Sequence, residues 1–407
     1  MTFSERNELI ELFKEFICIP SISGESNESE AAKWLMERFN AEGLEGRIIE
    51  KKPGRSNFVG ILKGRNHDNP LTFMSHIDVV APGSGWTHDP FAAETEKGFI
   101  YGRGTLDTKQ LTIMQMFAMF LLNRKGIVPE RDVVLIGSAD EECGSSLGMK
   151  FLTEEHPELF FGNDYVSEGG GFVIKAGGRI YRTCCCGEKG VIEITISYSS
   201  PNGSSEARNR YFAVIEKLAA FKASVSITKP SEVFKSVMTD SSWQDKTLSN
   251  LWEYSTKDNL VIKAFDSSAI DFSKGFKIEA VYKNLDELTE DQIRKTIGDL
   301  VCDDSLDIRV VIKSHPYSCS LESKLYRSLS DSTHKLDPTA TMLPMIALGN
   351  TDGRFIGKNT FGCSPILGNI PFSSVLKKVH QADECIDEES LVFGTDVLLN
   401  VIDSNRG

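Results

Sequence analysis

Apolar residues follow two rhythms in the first half of the chain. MTFSERNELIELFKEF, residues 1–16, mixes charged and apolar side chains at helical spacing, and NESEAAKWLMERFNAEG predicts an amphipathic helix that closes at Gly43. NFVGILKG and LTFMSHIDVV (71–80) are short β-prone runs and predict strands. TKQLTIMQMFAMFLLNRKG predicts a largely buried helix ending at Gly126, and RDVVLIGSAD another strand. Helices interleaved with apolar strands imply an α/β layer with a mostly parallel sheet. Sites on such sheets gather in the loops beyond the carboxyl ends of the strands.

The rhythm changes near residue 188. GVIEITISYS reads as a strand, SEARNRYFAVIEKLAAFKA as a helix, and NLVIKAF and GFKIEAVYK as two more strands. Thr289 and Gln292 form a capping box at the start of a helix in EDQIRKTIGDL, and DIRVVIKS is a last strand. That βαββαβ order is a ferredoxin-like α+β module. From about His315 the chain returns to the first layer, with helices in LYRSLSDSTHK and EESLVFGTDVLLNVI. The expected organisation is a larger α/β domain in two parts, 1–187 and 315–407, with a smaller domain inserted at 188–314.

With 407 residues, 40% of them hydrophobic and 25% charged, the chain can bury a large core. A net charge of −13 without any Lys/Arg-rich block argues against nucleic acid or a membrane as partner and leaves small molecules or peptides. No run has the apolar length of a signal peptide or a transmembrane helix. The nine cysteines are an odd number, with Cys184, Cys185 and Cys186 adjacent, and make no regular disulfide framework. A reducing, cytoplasmic location is expected. TCCCGE lacks the paired CxxC of a zinc knuckle and reads as core or loop thiols.

Ionisable residues recur where the predicted strands end. His76 and Asp78 are two apart on one strand and so share a face, where a buried carboxylate needs a partner. Gly102 and Gly104 in YGRGTLDTKQ allow a tight loop that delivers Asp107 just ahead of the buried helix. SADEECGS puts Glu141 and Glu142 beyond a strand, SEGGG puts Glu168 before three glycines, and KKVHQADE puts His380 near the C-terminus. Each has a bland reading alone: a strand histidine as a hydrogen-bonded core residue, paired glutamates as a solvated turn. Together, two histidines and three or four carboxylates are the ligand set of a two-zinc site in which one carboxylate bridges the ions.

SHIDVV, the run WTHDPF followed by GFIYGRGTLDTKQ, SADEECGS, SEGG, LGNTDGRF and VHQADE resemble, in order and spacing, one known family. It is the co-catalytic zinc hydrolases that include acetylornithine deacetylase, succinyl-diaminopimelate desuccinylase, aminoacylase and glutamate carboxypeptidase. The likeness runs along essentially the whole chain, with 188–314 where the family carries its lid domain. It implies two zinc ions, with cobalt or manganese as substitutes. His76, Asp107 and Glu168 would hold one ion and Asp107, Glu142 and His380 the other, with Asp107 as the bridge. Asp78 would accept the outer N–H of His76. Glu141 would be the general base that takes a proton from a metal-bridged water.

The reaction so implied is hydrolysis of amide bonds in small substrates, by a peptidase or dipeptidase or by a deacylase of N-acyl amino acids. The rival from another class is a catalytically silent homologue that binds metal or a ligand. Arg354 is a candidate for binding a substrate carboxylate, with a structural salt bridge as the alternative. His88 in WTHDPF is a candidate for substrate contact, and a cis peptide between Asp107 and Thr108 is also implied.

Two stretches depart from the family pattern. YSSPNGSSEA places Asn202 or Gly203 near the position of a lid histidine, and Lys283 stands near the position of a lid arginine. No histidine occurs from 188 to 314. An active monomer is therefore favoured over a homodimer whose second subunit completes the site.

Overall fold

The strand before His76 sorts its side chains by simple alternation. In the computed structural model, which describes residues 1–25, 27–200, 204–263 and 272–404, Phe73 joins a core with Phe13, Phe16 and Phe117, while Met74 joins a second core with Met149, Leu152 and Tyr165. The two cores lie on opposite faces of one sheet.

The strands of the two larger sheets run, in chain order, β1 (Glu45–Lys52), β2 (Arg55–Leu62), β3 (Asn66–His76), β4 (Arg131–Ser138), β5 (Asp164–Ser167), β6 (Val173–Ala176), β7 (Arg179–Cys185), β8 (Gly190–Ser199), β9 (Asn259–Ile262), β10 (Gly275–Asn284), β11 (Asp307–Ser314), β12 (Ala340–Met345) and β13 (Thr360–Gly362). The first sheet has the order β1-β2-β4-β3-β5-β13-β7-β12, with β6 paired to β7. Its centre, β4-β3-β5-β13, is parallel, and β7–β12 is parallel too. The margins β1–β2, β2–β4 and β6–β7 are antiparallel. The helix Lys109–Arg124 is buried from Lys109 to Leu122, which is why its sequence is apolar on every face.

The second sheet has the order β9-β10-β8-β11, antiparallel throughout. Ile192, Ile194 and Ile196 of β8 are buried with Tyr211 and Val214 of the helix Ser204–Ala219 and Ile293 and Ile297 of the helix Glu290–Val301. The Thr289–Gln292 capping box is formed. The chain passes between the two sheets at a short ribbon, Gly187–Glu188 against Tyr317–Ser318.

The structure differs from the sequence reading in three places. β3 ends at His76, so Asp78 lies in the turn beyond the strand. Two helices, Lys229–Val237 and Lys246–Thr256, interrupt the expected βαββαβ order. They are started by side-chain caps from Thr228 and Asp245, and they carry Phe234, Leu248 and Leu251 onto Tyr181, Leu343 and Met345 at the margin of the large sheet. Finally, only the 259–262 part of NLVIKAF is a strand, and Ala264 and Phe265 lie outside the described residues, as do Asn202 and Gly203.

Candidate metal centre

The ends of β3, β4 and β5 and the start of the helix Lys109–Arg124 deliver five of the expected groups to one place. His76 is the last residue of β3, and Glu168 follows the last residue of β5. Asp107 precedes the helix, in a loop where Gly104 has φ +93 and a Cβ would meet Val79 at 2.9 Å. The Asp107–Thr108 peptide is cis, as implied. Asp140, in the left-handed region at φ 64, turns the chain out of β4 so that Glu141 and Glu142 face inward. His380 arrives from the loop after the helix Phe372–Lys378.

Asp107 stands between the two histidines. His76 Nε2 lies 3.0 Å from Asp107 Oδ1 and 3.3 Å from Glu168 Oε2. His380 Nε2 lies 3.0 Å from Asp107 Oδ2 and 3.1 Å from Glu142 Oε1. Two sets, His76–Asp107–Glu142 and His76–Glu141–Glu168, have ligand atoms within 4.8 Å of one another. Glu141 Oε1 also meets Arg354 Nη1 at 3.4 Å.

The donor set fits divalent metal. His76 Nδ1 lies 2.8 Å from the Asp78 carbonyl oxygen and donates to it, while Nε2 faces carboxylate oxygens of Asp107 and Glu168; although burial opposes it, these acids hold the imidazole protonated well above its usual range. A metal ion can take the place of the Nε2 protons that now bridge imidazole and carboxylate, and that ligand pair suits zinc, cobalt or manganese. The electrostatics carry the same mark. Burial, with the charge of Glu168, pushes Glu141 well above the usual carboxylate range, and burial pushes Glu168 up to about 7. His380 is raised to about 10 by its hydrogen bonds to Asp107 and Glu142. Burial opposes the ionisation of Asp107, yet hydrogen bonds from His380 and His76 hold it below its ordinary value.

Asp78 works differently from the expectation. Its carbonyl, not its carboxylate, accepts from His76, and the carboxylate is 3.6 Å from Nδ1. Because the strand has already ended, that carboxylate turns toward the next loop and accepts the backbone N–H groups of Glu141 at 3.2 Å and Glu142 at 3.1 Å. It holds the loop that carries the two glutamates while its charge stays 3.6 Å from the imidazole. His88 is not brought into the cluster: Nδ1 pairs with Glu94 at 2.8 Å, and the ring stacks on Tyr101 at 3.9 Å. Arg354 is largely buried between Glu141 and the Thr351 carbonyl, 2.8 Å away.

Two buried acids escaped the sequence reading, although both lie inside motifs quoted above. Glu384 in VHQADE accepts the N–H groups of Leu106 at 2.6 Å and Asp107 at 3.2 Å, and pairs with Arg103 at 2.6 Å. It thereby ties the His380 loop to the Asp107 loop. Asp352 in LGNTDGRF is held by the hydroxyls of Ser138, at 2.5 Å, and Ser145. An acid four residues beyond a candidate ligand histidine was the available signal for the first.

A model of peptidase family M20/M25/M40 matches residues 72–404. The N-fatty-acyl-amino acid synthase/hydrolase PM20D1 of Bos taurus is 24% identical over 395 residues, which are 86% of this chain and 78% of the bovine protein. The succinyl-diaminopimelate desuccinylase of Nitratiruptor sp. is 30% identical over 156 residues, 36% of this chain and 38% of that one. Among solved structures, the M20 family metallo-carboxypeptidase Sso-CP2 from Sulfolobus solfataricus superimposes with a TM-score of 0.76 at 19% identity, covering 100% of this chain and 99% of its own. That superposition shows the shared α/β fold.

Proposed function

This chain belongs to peptidase family M20/M25/M40 and is a hydrolase of amide bonds in small substrates, and we propose that it uses two zinc ions, with Glu141 as general base, on dipeptides or N-acyl amino acids. The observation that carries this reading is Asp107, whose two oxygens each lie 3.0 Å from a different imidazole nitrogen. His76, Asp107 and Glu168 would hold one ion, and Asp107, Glu142 and His380 the other. Bound there, zinc supplies Lewis acidity that lowers the pKa of a water molecule and polarises the scissile carbonyl.

The chain's own residues move the proton and hold the geometry. Glu141 takes the proton of the attacking water as the C–O bond forms and delivers it to nitrogen as the C–N bond breaks. One water is consumed, and a carboxylic acid and an amine are released. Burial raises the proton affinity of Glu141, which suits a base working near neutral pH, and Arg354 at 3.4 Å keeps its carboxylate aimed. Asp78 fixes the turn that separates Glu141 from Glu142 through its two backbone hydrogen bonds. Arg354 also lines a cavity of about 430 Å³ with Lys150 and Lys313, a setting suited to a substrate carboxylate.

We assign 1–187 and 315–407 to the catalytic domain and 188–314 to a lid. The single ribbon at Gly187–Glu188 and Tyr317–Ser318 supports that division, and the helices at 229–256, which rest on the large sheet, are its exception. All nine cysteines are free, which supports a reducing, cytoplasmic setting. Among the described residues no helix is long and apolar enough to cross a membrane. The absence of histidine from 188 to 314 supports a monomer whose site is complete in one chain. The test is turnover of a panel of dipeptides and N-acyl amino acids by zinc-loaded protein. Hydrolysis within the panel is expected, and a fully loaded protein inert toward all of it points to a silent homologue instead.

A further inference from the structure

The acid cluster opens into a cavity of about 320 Å³ whose other wall is apolar. Phe172, Cys185, Met345, Phe372, Leu376 and Val379 form that wall. Half of it is buried, Cys185, Met345 and Phe372, and the rings of Phe172 and Phe372 lie 5.6 Å apart. Leu376 is 48% exposed and sits at the mouth. Among the described residues no lysine or arginine lines this cavity, and its charged groups besides His380 are Asp107, Glu141, Glu142 and Glu168. The adjoining cavity, which shares Asn350 with it, is the one that carries Lys150 and Arg354, with Lys313 paired to Glu193 at 3.1 Å, and so holds cations in excess.

We propose that the apolar wall is the acyl-group subsite, and that the enzyme selects amides whose acyl part is uncharged and apolar while rejecting acyl groups that carry a second carboxylate. This rests on the amide-hydrolase reading above. The side assignment follows from Glu141. Glu141 lines the acid end of this cavity and, as the proton donor to the leaving nitrogen, marks where the amine departs, while its partner Arg354, 3.4 Å away, lines the adjoining cavity. The α-carboxylate of the released amino acid is thereby directed toward the cationic cavity, and the acyl group toward the apolar wall. A carboxylate on the acyl group would find no lysine or arginine along that wall and would be desolvated against it, whereas an alkyl or aryl group gains burial against six apolar side chains. The volume is at the small end for ligand sites, which limits the enclosed part of the acyl group to a short chain or single ring.

The experiment crosses two acyl groups with two amines: N-hexanoyl-leucine, N-hexanoyl-serine, N-succinyl-leucine and N-succinyl-serine, each with zinc-loaded protein. Expected is a preference in kcat/KM for hexanoyl over succinyl on the order of a hundredfold, whichever amino acid is attached. Leu376→Lys adds a cation at the exposed mouth without touching the buried wall, and it should narrow that preference about tenfold, mainly by improving the succinyl compounds. Equal rates for the two acyl groups overturn the proposal. So does a preference that follows leucine over serine instead of the acyl group, which would place the wall on the amine side. Failure to cleave any of the four, together with failure on the wider panel, overturns the amide-hydrolase reading itself and this inference with it.

Discussion

In the small sheet, Glu193 sits between Lys263 at 3.3 Å and Lys313 at 3.1 Å, and all three side chains are at least 40% exposed. At the end of the large sheet, Glu168 is nearly buried and meets His76 at 3.3 Å, with Glu141 and Asp107 crowding the same space. The first arrangement is complete as it stands, since each charge has a partner and water besides. The second has acids in excess of any permanent cation and little water to solvate them, a state that burial makes costly. Charge that the fold balances locally speaks of solubility. Charge that it leaves unbalanced in the interior speaks of a missing ligand.

The sharpest way to break this comparison is to remove one acid at a time from the cluster. Glu141→Ala is expected to keep its zinc and lose turnover by about 10²–10⁴-fold, because it removes proton transfer alone. Glu142→Ala is expected to lose the metal shared with Asp107 and His380 as well. Metal content by mass spectrometry beside steady-state rates separates the two. Equal zinc content in both variants contradicts the division of labour between these neighbours.

The same contrast explains what could be read in advance. Residues 76, 107, 141, 142 and 168 were legible because each stands at the end of an apolar run or just ahead of a helix, where a polar group has a local reason to be noticed, whereas His380 has no such setting and was legible through the family likeness of VHQADE. The helix after Thr289 was legible for an equally local reason, its capping box. What stayed hidden depends on partners far along the chain. The carboxylate of Asp78 finds its donors 63 and 64 residues away, and Glu384 finds Leu106 and Asp107 278 and 277 residues away. His88 drew attention as a loop histidine, yet the nearby hairpin of Glu94 and Tyr101 takes up its ring. The helices at 229–256 belong to this hidden class, because what stabilises them is the margin of the other sheet.

A second test lies at the junction of the two regions, where Glu188 is buried and accepts hydrogen bonds from Thr351 N at 3.0 Å and Oγ1 at 2.9 Å. Burial pushes its pKa up from 4.5 to about 8. Below pH 4.5 the group is protonated in both folded and unfolded chains. As pH rises from there to about 8, the unfolded chain ionises and the folded one does not, so stability is lost across that window. Glu188→Gln mimics the neutral acid and should remove a few kcal/mol of this pH dependence. Melting temperatures of variant and parent at pH 5 and pH 8 provide the check. Curves that stay parallel would show that Glu188 does not titrate on unfolding.

A smaller effect is expected one step back from the metal ligands. Glu384 touches no ligand side chain but holds the backbone N–H of Asp107 and lies on the His380 loop. Glu384→Gln keeps an acceptor for Leu106 and Asp107 but sets an amide against Arg103, 2.6 Å away in the parent. Zinc affinity is expected to fall about 10–100-fold, the range for groups that support metal ligands from behind. Competition against a zinc chelator reads this directly, whereas a general loss of stability would lower the melting temperature of the metal-free protein and leave the affinity of the folded fraction unchanged.

The smallest expected effect returns to the small sheet. Glu193→Gln removes both of its ion pairs, with Lys263 and Lys313, yet all three side chains reach water, so the Coulomb gain is screened and the freed lysines recover hydration. The same substitution near Glu168 would leave buried polar groups to find new partners, whereas here solvent supplies them. Stability should change by about 0.5 kcal/mol or less, and by still less at high salt. Denaturant midpoints at low and high ionic strength measure it. A loss several times larger, insensitive to salt, would mean that this exposed cluster is fixed in place by something beyond its own charges, and the contrast between the two sheets would have to be drawn elsewhere.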